Sequence, residues 1–331
     1  VRALVVSSPG HVALEEVDEP SAGPGEVLIH PIACGLCGTD LELIDGTIDP
    51  AYVRYPLTLG HEWVGRFAGS TGDESSALVV VEGVIPCGAC DECGIGDTNR
   101  CRVYDEVGFT RPGAIAGLIS VPSILVHRLS PTVSIRDAAL VEPMAVVWRA
   151  LTRAGIRSDS SCLVVGDGTV ALLTAHLLQR FAPSSTTVLG LRDAQRGLAL
   201  RAGADHFTTA PTSQKYDVVV EAAGHVDAVT TALSSVGRGG SVTLLGLPPH
   251  GTRVSLAPDD FVNDDLTLQG SFSYTRVAWA EVVALLNEGA IAPSFLVTHA
   301  FALDAYAEAL AMLRDPPTDA ARGKVLILLD E

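Results

Sequence analysis

Lysine is almost missing from this chain. Only Lys215 and Lys324 occur, and the other basic side chains are arginine. Positive charge is scarce altogether: 39 acids face 22 bases, a formal charge of −17. A surface of that sign repels phosphate backbones, so no nucleic-acid partner is expected, and a nucleic-acid-binding zinc module is a poor fit. Long apolar runs are missing too. None reaches the roughly 18 residues that a membrane span requires, so no membrane partner is expected. The opening VRALVV reads as a strand, and Glu15, Glu16, Asp18 and Glu19 follow it, which does not suit a secretory leader. The expected setting is the cytoplasm. The chain shows no internal repeat and no low-complexity stretch.

What is present is a globular mix of 47% hydrophobic and 18% charged residues, over a length of 331 that suits two domains. Through about residue 140, short apolar runs (ALVV, EVLIH, ALVVVEGVI, SILVHRLS) alternate with Gly and Pro punctuation, a β-rich pattern. VEPMAVVWRALTRAG then reads as a helix with Pro143 in its first turn and Gly155 near its end. From about residue 160, strands (SCLVVGDG, TTVLGL, DVVVEAAG, SVTLLGL) alternate with helices (TVALLTAHLLQRF, AQRGLALRAGA). That alternation predicts an α/β fold with a doubly wound parallel sheet. Two helices, WAEVVALLNEG and DAYAEALAMLR, and the strand KVLILLD close the chain.

Four of the seven cysteines, Cys87, Cys90, Cys93 and Cys101, crowd into a C-x2-C-x2-C-x7-C pattern. Two-residue gaps let a tight turn aim successive thiolates at one point. Gly88, Gly94, Gly96 and Asp97 suit such turns. Four thiolates fit a closed tetrahedral Zn²⁺ site whose role is to staple a loop. An iron–sulfur cluster and four unrelated thiols are the competing readings.

A second constellation is more dispersed. Cys34-Gly-Leu-Cys37-Gly-Thr39-Asp40 precedes Gly60-His61-Glu62-Trp63-Val64-Gly65, and Val141-Glu142-Pro143 lies far downstream. One thiolate, one imidazole and one carboxylate make three ligands and leave a fourth position open. Each residue alone is weak evidence, and Cys34 reads as a small core residue. Further on, Gly166-Asp-Gly168-Thr169-Val170-Ala171 ends a strand and opens a helix in a G-x-G-x-x-A pattern. Its glycines allow a tight turn and close approach to a pyrophosphate, and the helix start supplies backbone N–H groups for it.

In order, CGLCGTD, GHEWVG, the cysteine knuckle, VEPMAV and a nucleotide fold resemble the zinc-containing medium-chain dehydrogenase/reductase superfamily over nearly the whole chain. The resemblance implies a β-rich GroES-like catalytic, zinc-binding domain (1–145 and 276–331) and a Rossmann cofactor domain (146–275). It implies that Cys37, His61 and Glu142 are the catalytic zinc ligands, with Glu62 a neighbour that exchanges onto the metal. Asp40 would orient His61, and Thr39 would take the alcohol proton into a relay. Many relatives place a relay histidine where this chain has Glu42, which reads either as a carboxylate base or as a solvated surface acid.

Glutamate rather than cysteine at 142 resembles the polyol, threonine and sugar dehydrogenases. GHEWVG and VGFTRPGAIA are similar to cyclitol dehydrogenases such as the 2-deoxy-scyllo-inosamine dehydrogenases, and CGTDLE to the aldose (glucose) dehydrogenases. NAD users end the second Rossmann strand on an acid. Counting back from Gly203-Ala204, this chain has Gly190 there, followed by Arg192, Asp193 and Arg196. A missing carboxylate and two arginines favour the 2′-phosphate of NADP(H) over NAD(H). The alternative is that both arginines solvate a helix start, and Asp193 is able to meet a ribose hydroxyl. By the same resemblance Glu221 lies near the nicotinamide or serves as a hydrogen-bonded acid, and Tyr274 borders the cleft or the core.

The expectation is thus two zinc ions per chain and hydride transfer between NADP(H) and a secondary alcohol or ketone of a polyol, sugar or cyclitol. Aldose 1-dehydrogenation is the alternative within the class, and a zinc-independent reductase or non-catalytic relative the alternative outside it. Family habit implies a homodimer or homotetramer.

Overall fold

The computed structural model of the chain describes residues 1–69 and 77–329. These form two compact units, 1–142 with 275–316 and 324–331, and 143–274 with 317–323.

In the first unit, the strand Glu26–Leu36 runs through the centre of a seven-stranded sheet. Its antiparallel neighbours are Glu62–Phe67 on one side and Lys324–Leu328 on the other. This central strand is closed off from Ile32 to Leu36 because both of its faces are covered. Leu36, Trp63, Val64, Val325 and Ile327 pack into the unit's core. Each such side chain gains roughly 1.5–3 kcal/mol from burial. Three sheet neighbours start or end at the same place: Gly35 pairs with Glu62, and Leu36 pairs with Val325. The residues just beyond these pairs, Cys37, His61 and Lys324, therefore gather at one end of the sheet.

The second unit holds a six-stranded sheet ordered His206–Thr208, Ser185–Leu189, Ser161–Val165, Tyr216–Glu221, Val236–Leu244, Thr267–Gly270, parallel at every pairing. That is the doubly wound Rossmann order expected from the strand–helix alternation. Strand order reverses between Ser161–Val165 and Tyr216–Glu221, and in such sheets ligands bind beyond the carboxyl ends at the reversal. Leu163, Val165, Leu189, Val219 and Val242 fill its core. Among the described residues, no helix is long and apolar enough to cross a membrane. The closing strand spans Lys324–Leu328, and Asp330 of the KVLILLD run lies outside the described residues.

Candidate metal and cofactor sites

Cys37 ends the central strand's exit and caps the helix Gly38–Asp45. Its Sγ accepts the Thr39 N–H at 3.3 Å, and its own N–H donates to Asp40 Oδ2 at 2.9 Å. The Gly-Thr-Asp sequence after the cysteine thus fixes the thiol in space. His61 Nε2 lies 3.2 Å from Cys37 Sγ. Two tetrahedral Zn²⁺ ligands, S at about 2.3 Å and N at about 2.0 Å from the ion, sit about 3.5 Å apart. The pair is therefore spaced for a shared ion. Glu62 contributes a carboxylate oxygen, and one donor atom from each of Cys37, His61 and Glu62 lies within 4.8 Å of the others. Glu142, in the first turn of the helix Val141–Arg153, does not join Cys37 and His61 at that spacing among the described residues.

Electrostatics tie these groups together. Asp40 is fully buried, and its second oxygen faces His61 Nδ1 at 3.5 Å. Neither atom has another hydrogen-bond partner. An imidazole steered from behind by a carboxylate is the usual arrangement around a metal-bound histidine. Burial disfavours charge on His61, yet Cys37 and Asp40 together hold it well above its ordinary value. Burial, with Glu62's negative charge next, pushes Glu142 up to about 8 against the opposing pull of His61 and Lys324. Burial likewise raises Glu106 to about 7, with His61 opposing. Asp40, Glu62, Glu142 and Glu106 crowd around one imidazole and one thiol with the Lys324 ammonium as their counter-charge, and a divalent cation would relieve the repulsion among the acids.

Sequence reasoning missed Lys324 as a site residue. It is 1% exposed, and its ammonium donates to the Leu36 carbonyl at 3.1 Å and to Glu62 Oε2. Gly35 makes room for this pair. A Cβ there would meet Glu62 Oε2 at 2.5 Å and Lys324 Cδ at 3.2 Å. The only sequence signal was one of two lysines opening an otherwise apolar strand. Thr39 sits half-buried beside Cys37 on the same helix. Glu42 is one turn further along, its carboxyl raised by burial. Cys34 is fully buried in the core, and burial pushes its thiol well up.

The knuckle brings Cys87, Cys90, Cys93 and Cys101 into one cluster. Sulfur separations are 3.9 Å (Cys87–Cys93), 3.5 Å (Cys90–Cys93) and 3.9 Å (Cys90–Cys101). Tetrahedral thiolates about 2.3 Å from a zinc ion stand about 3.8 Å apart, whereas a disulfide needs about 2.05 Å. The Arg102 and Cys93 N–H groups pull the Cys90 thiol down to about 6, while burial and Cys90 push Cys93 up to about 12. Adjacent thiols that resist joint ionisation are what a cation would relieve.

In the second unit, Gly166 follows the strand Ser161–Val165 with φ +128°, and a Cβ there would meet the Ala222 backbone at 3.1 Å. Gly168 caps the helix Thr169–Leu178 without a side-chain hydrogen bond. Thr169 and Val170 occupy its first turn, where free N–H groups suit a pyrophosphate. Gly190 follows the strand Ser185–Leu189, and Arg192 lies two residues on, ion-paired to Asp167 at 3.0 Å. Arg196 is held by Asp193 at 2.7 Å and by the Phe207 carbonyl at 2.9 Å, so Asp193 is committed to a protein partner. Glu221 is fully buried and accepts the Ala223 and Gly224 N–H groups at 2.8 Å, the hydrogen-bonded arrangement. Tyr274 is 2% exposed.

Comparison with known proteins agrees with this anatomy. Residues 23–131 match the alcohol dehydrogenase GroES-like domain, and residues 135–315 match the glucose dehydrogenase C-terminus. The chain is 28% identical to sorbitol dehydrogenase of Bacillus subtilis, over 94% of this chain and 92% of the relative. It is 27% identical to erythritol/L-threitol dehydrogenase of Mycolicibacterium smegmatis, over 95% and 94% respectively. Among solved structures, a zinc-binding dehydrogenase from Sinorhizobium meliloti bound to NADP superimposes with a TM-score of 0.89 at 27% identity, covering 99% of this chain and 98% of that one.

Proposed function

The chain belongs to the zinc-containing medium-chain dehydrogenase/reductase family, in its polyol dehydrogenase branch, and we propose that it moves a hydride between NADP(H) and a secondary alcohol or ketone of a polyol, sugar or cyclitol. It is an alcohol or polyol dehydrogenase. The observation that carries the reading is the convergence of Cys37 Sγ, His61 Nε2 and a Glu62 oxygen at one end of the central sheet.

A zinc ion held there supplies Lewis acidity that makes a nearby hydroxyl easier to deprotonate. The chain's own residues do the rest. Cys37, His61 and one of Glu62 or Glu142 hold the ion. Asp40 keeps the imidazole turned with Nε2 inward. Thr39, next along the helix from the thiol, accepts the hydroxyl proton and passes it on. Glu42, whose carboxyl is raised by burial, is the next acceptor. Gly166, Gly168, Thr169 and Val170 hold the pyrophosphate of the cofactor. Gly190, Arg192 and Arg196 surround its adenosine ribose. The net change is secondary alcohol plus NADP⁺ to ketone, NADPH and a proton.

Three features support the finer points. No acid ends the Ser185–Leu189 strand, and Arg192 follows it, which favours a 2′-phosphate. No disulfide joins any of the seven cysteines, which suits a reducing setting. The edge strand Thr267–Gly270 offers a second copy somewhere to pair, which suits a homodimer or homotetramer.

The test is a dehydrogenase assay with NAD⁺ and NADP⁺ against sugars, polyols and amino-cyclitols, run beside metal analysis. We expect turnover of a vicinal secondary alcohol with NADP⁺ preferred, and about two zinc ions per chain. Arg192→Ala should weaken NADP⁺ far more than NAD⁺. Equal losses would sink the cofactor assignment, and a single zinc confined to the knuckle would sink the catalytic centre.

A further inference from the structure

Resting on the NADP reading above, we propose that Arg322 joins Arg192 in a two-guanidinium cradle for the cofactor's 2′-phosphate, with Asp167 presetting the pair. Arg322 lies far from the nucleotide motif in sequence. It belongs to segment 317–323, which clusters with the Rossmann unit. Gln195 explains how it is held. This side chain is wholly buried; its Nε2 donates to the Asp167 carbonyl at 2.5 Å and the Arg322 carbonyl at 2.9 Å, and its Oε1 accepts the Arg322 N–H at 2.8 Å. One amide thereby joins the glycine-rich turn to the arriving segment.

Asp167 occupies the space a strand-end acid would use. A Cβ on Gly190 would meet Asp167 Cβ at 2.7 Å and Asp167 Oδ2 at 2.9 Å. Asp167 Oδ2 already accepts the Leu191 and Arg192 N–H groups at 2.9 Å each, and Oδ1 accepts Arg192 Nη2 at 3.0 Å. Three of the carboxylate's roughly four lone-pair sites are thus taken by the protein. Its geometry serves the loop and the arginine, and leaves little for the two hydroxyls of a ribose.

The arginines are the reverse case. Arg192 Nη1 and Arg322 Nε are buried N–H donors without a hydrogen-bond partner. Arg192 is ion-paired to Asp167, whereas the Arg322 guanidinium has no carboxylate within ion-pair distance among the described residues, so the pair of arginines carries more positive charge than Asp167 offsets. The crowding registers on Arg322, whose pKa is lowered by burial and then by Arg192, with Asp167 opposing. Planar N–H forks with spare donors and surplus positive charge are the chemistry that recognises a phosphate monoester. A dianion beside Arg192 would match this surplus positive charge, whereas a ribose hydroxyl would leave it unmatched.

The experiment measures dissociation constants for NADP⁺, NAD⁺ and adenosine 2′-monophosphate with the zinc-loaded wild type and with Arg322→Gln, Arg322→Lys and Arg192→Gln. Thermal unfolding and circular dichroism confirm that each variant is folded. Losing a charge-assisted hydrogen bond should weaken NADP⁺ and adenosine 2′-monophosphate about 10- to 100-fold in Arg322→Gln, with NAD⁺ held within about threefold. Arg322→Lys should fall between, keeping the charge without the fork. If Arg322→Gln weakens both dinucleotides equally, or leaves their ratio unchanged while Arg192→Gln abolishes the preference, the assignment of Arg322 is wrong and the NADP reading stands. A wild type that binds NADP⁺ no more tightly than NAD⁺ overturns both.

Discussion

Lys324 and Glu62 sit 262 positions apart in sequence, face each other across Gly35, and are both almost wholly buried. Removing one partner of such a pair strands a charge in the interior and typically costs about 3–5 kcal/mol. Lys324→Met should therefore destabilise the metal-stripped protein by that order. The penalty should shrink when zinc is present, because Glu62 then has a second cation to face. Denaturant unfolding of the variant with and without zinc checks this. Equal penalties in the two states would mean that Glu62 does not communicate with the metal. Lys324→Met combined with Glu62→Gln should recover most of the loss in stability, since neither residue then carries an unpaired charge.

Residue legibility divides along a physical line. The four knuckle cysteines stood out by their short local spacing, whereas Cys37, His61 and Asp40 were singled out by the resemblance that CGLCGTD and GHEWVG carry. Asp40 caps Cys37 only three positions away, and the structure places it behind His61. Lys324 and Arg322 were not readable, because each acts only through sheet pairing or an arriving segment that no local pattern encodes. The third ligand shows the same divide. Sequence resemblance named Glu142 as the ligand with Glu62 exchanging onto the metal, and the donors gathered tightly with Cys37 and His61 include Glu62, the residue after His61.

At the scale of elements, the knuckle illustrates how little regular structure a metal loop needs. Its helical part, Asp91–Gly94, is a single turn, and the Thr98–Arg100 turn completes it. The exposed pairs Arg100–Glu92 and Arg100–Asp97 brace it, but solvated ion pairs of this kind contribute at most about 1 kcal/mol each. Four converging sulfurs must therefore do most of the ordering once a metal neutralises them. Cys90→Ser should lower zinc from about two ions per chain to about one and accelerate amide exchange across 87–105, while leaving exchange in the Rossmann strands unchanged. Unaltered exchange in the knuckle of a variant that has lost its zinc would show that the loop orders itself without metal. The regular elements, by contrast, were visible in advance. In the strand Ser161–Val165, Cys162 to Val165 form a continuous apolar run ended by Gly166, as a central parallel strand requires. The short Arg196–Arg201 helix was harder to bound, because a 3-10 turn at Asp193–Gln195 leads into it and the side chain of Gln195 is spent on tertiary bonds.

For the molecule as a whole, the sheet of the second unit ends at the four-residue strand Thr267–Gly270, which carries one exposed apolar side chain, Leu268. Leu268 is 40% exposed, and nearby in the chain Val262 is 80% and Leu256 45% exposed. No lysine or proline lies within the strand to discourage pairing. An unguarded edge invites another strand, and closing it with a two-fold copy of itself satisfies the free backbone groups without open-ended growth. The strong negative charge works against association in general, so contact should be confined to where apolar side chains stand exposed. Sedimentation equilibrium should thus give at least a dimer in moderate salt. Leu268→Asp places a carboxylate on the edge strand, and Val262→Asp adds one on the preceding helix Pro258–Asn263. The double variant should sediment as a monomer with its circular dichroism retained. Retention of the wild-type mass by a folded double variant would move the subunit contact elsewhere on the molecule and leave this edge without a function.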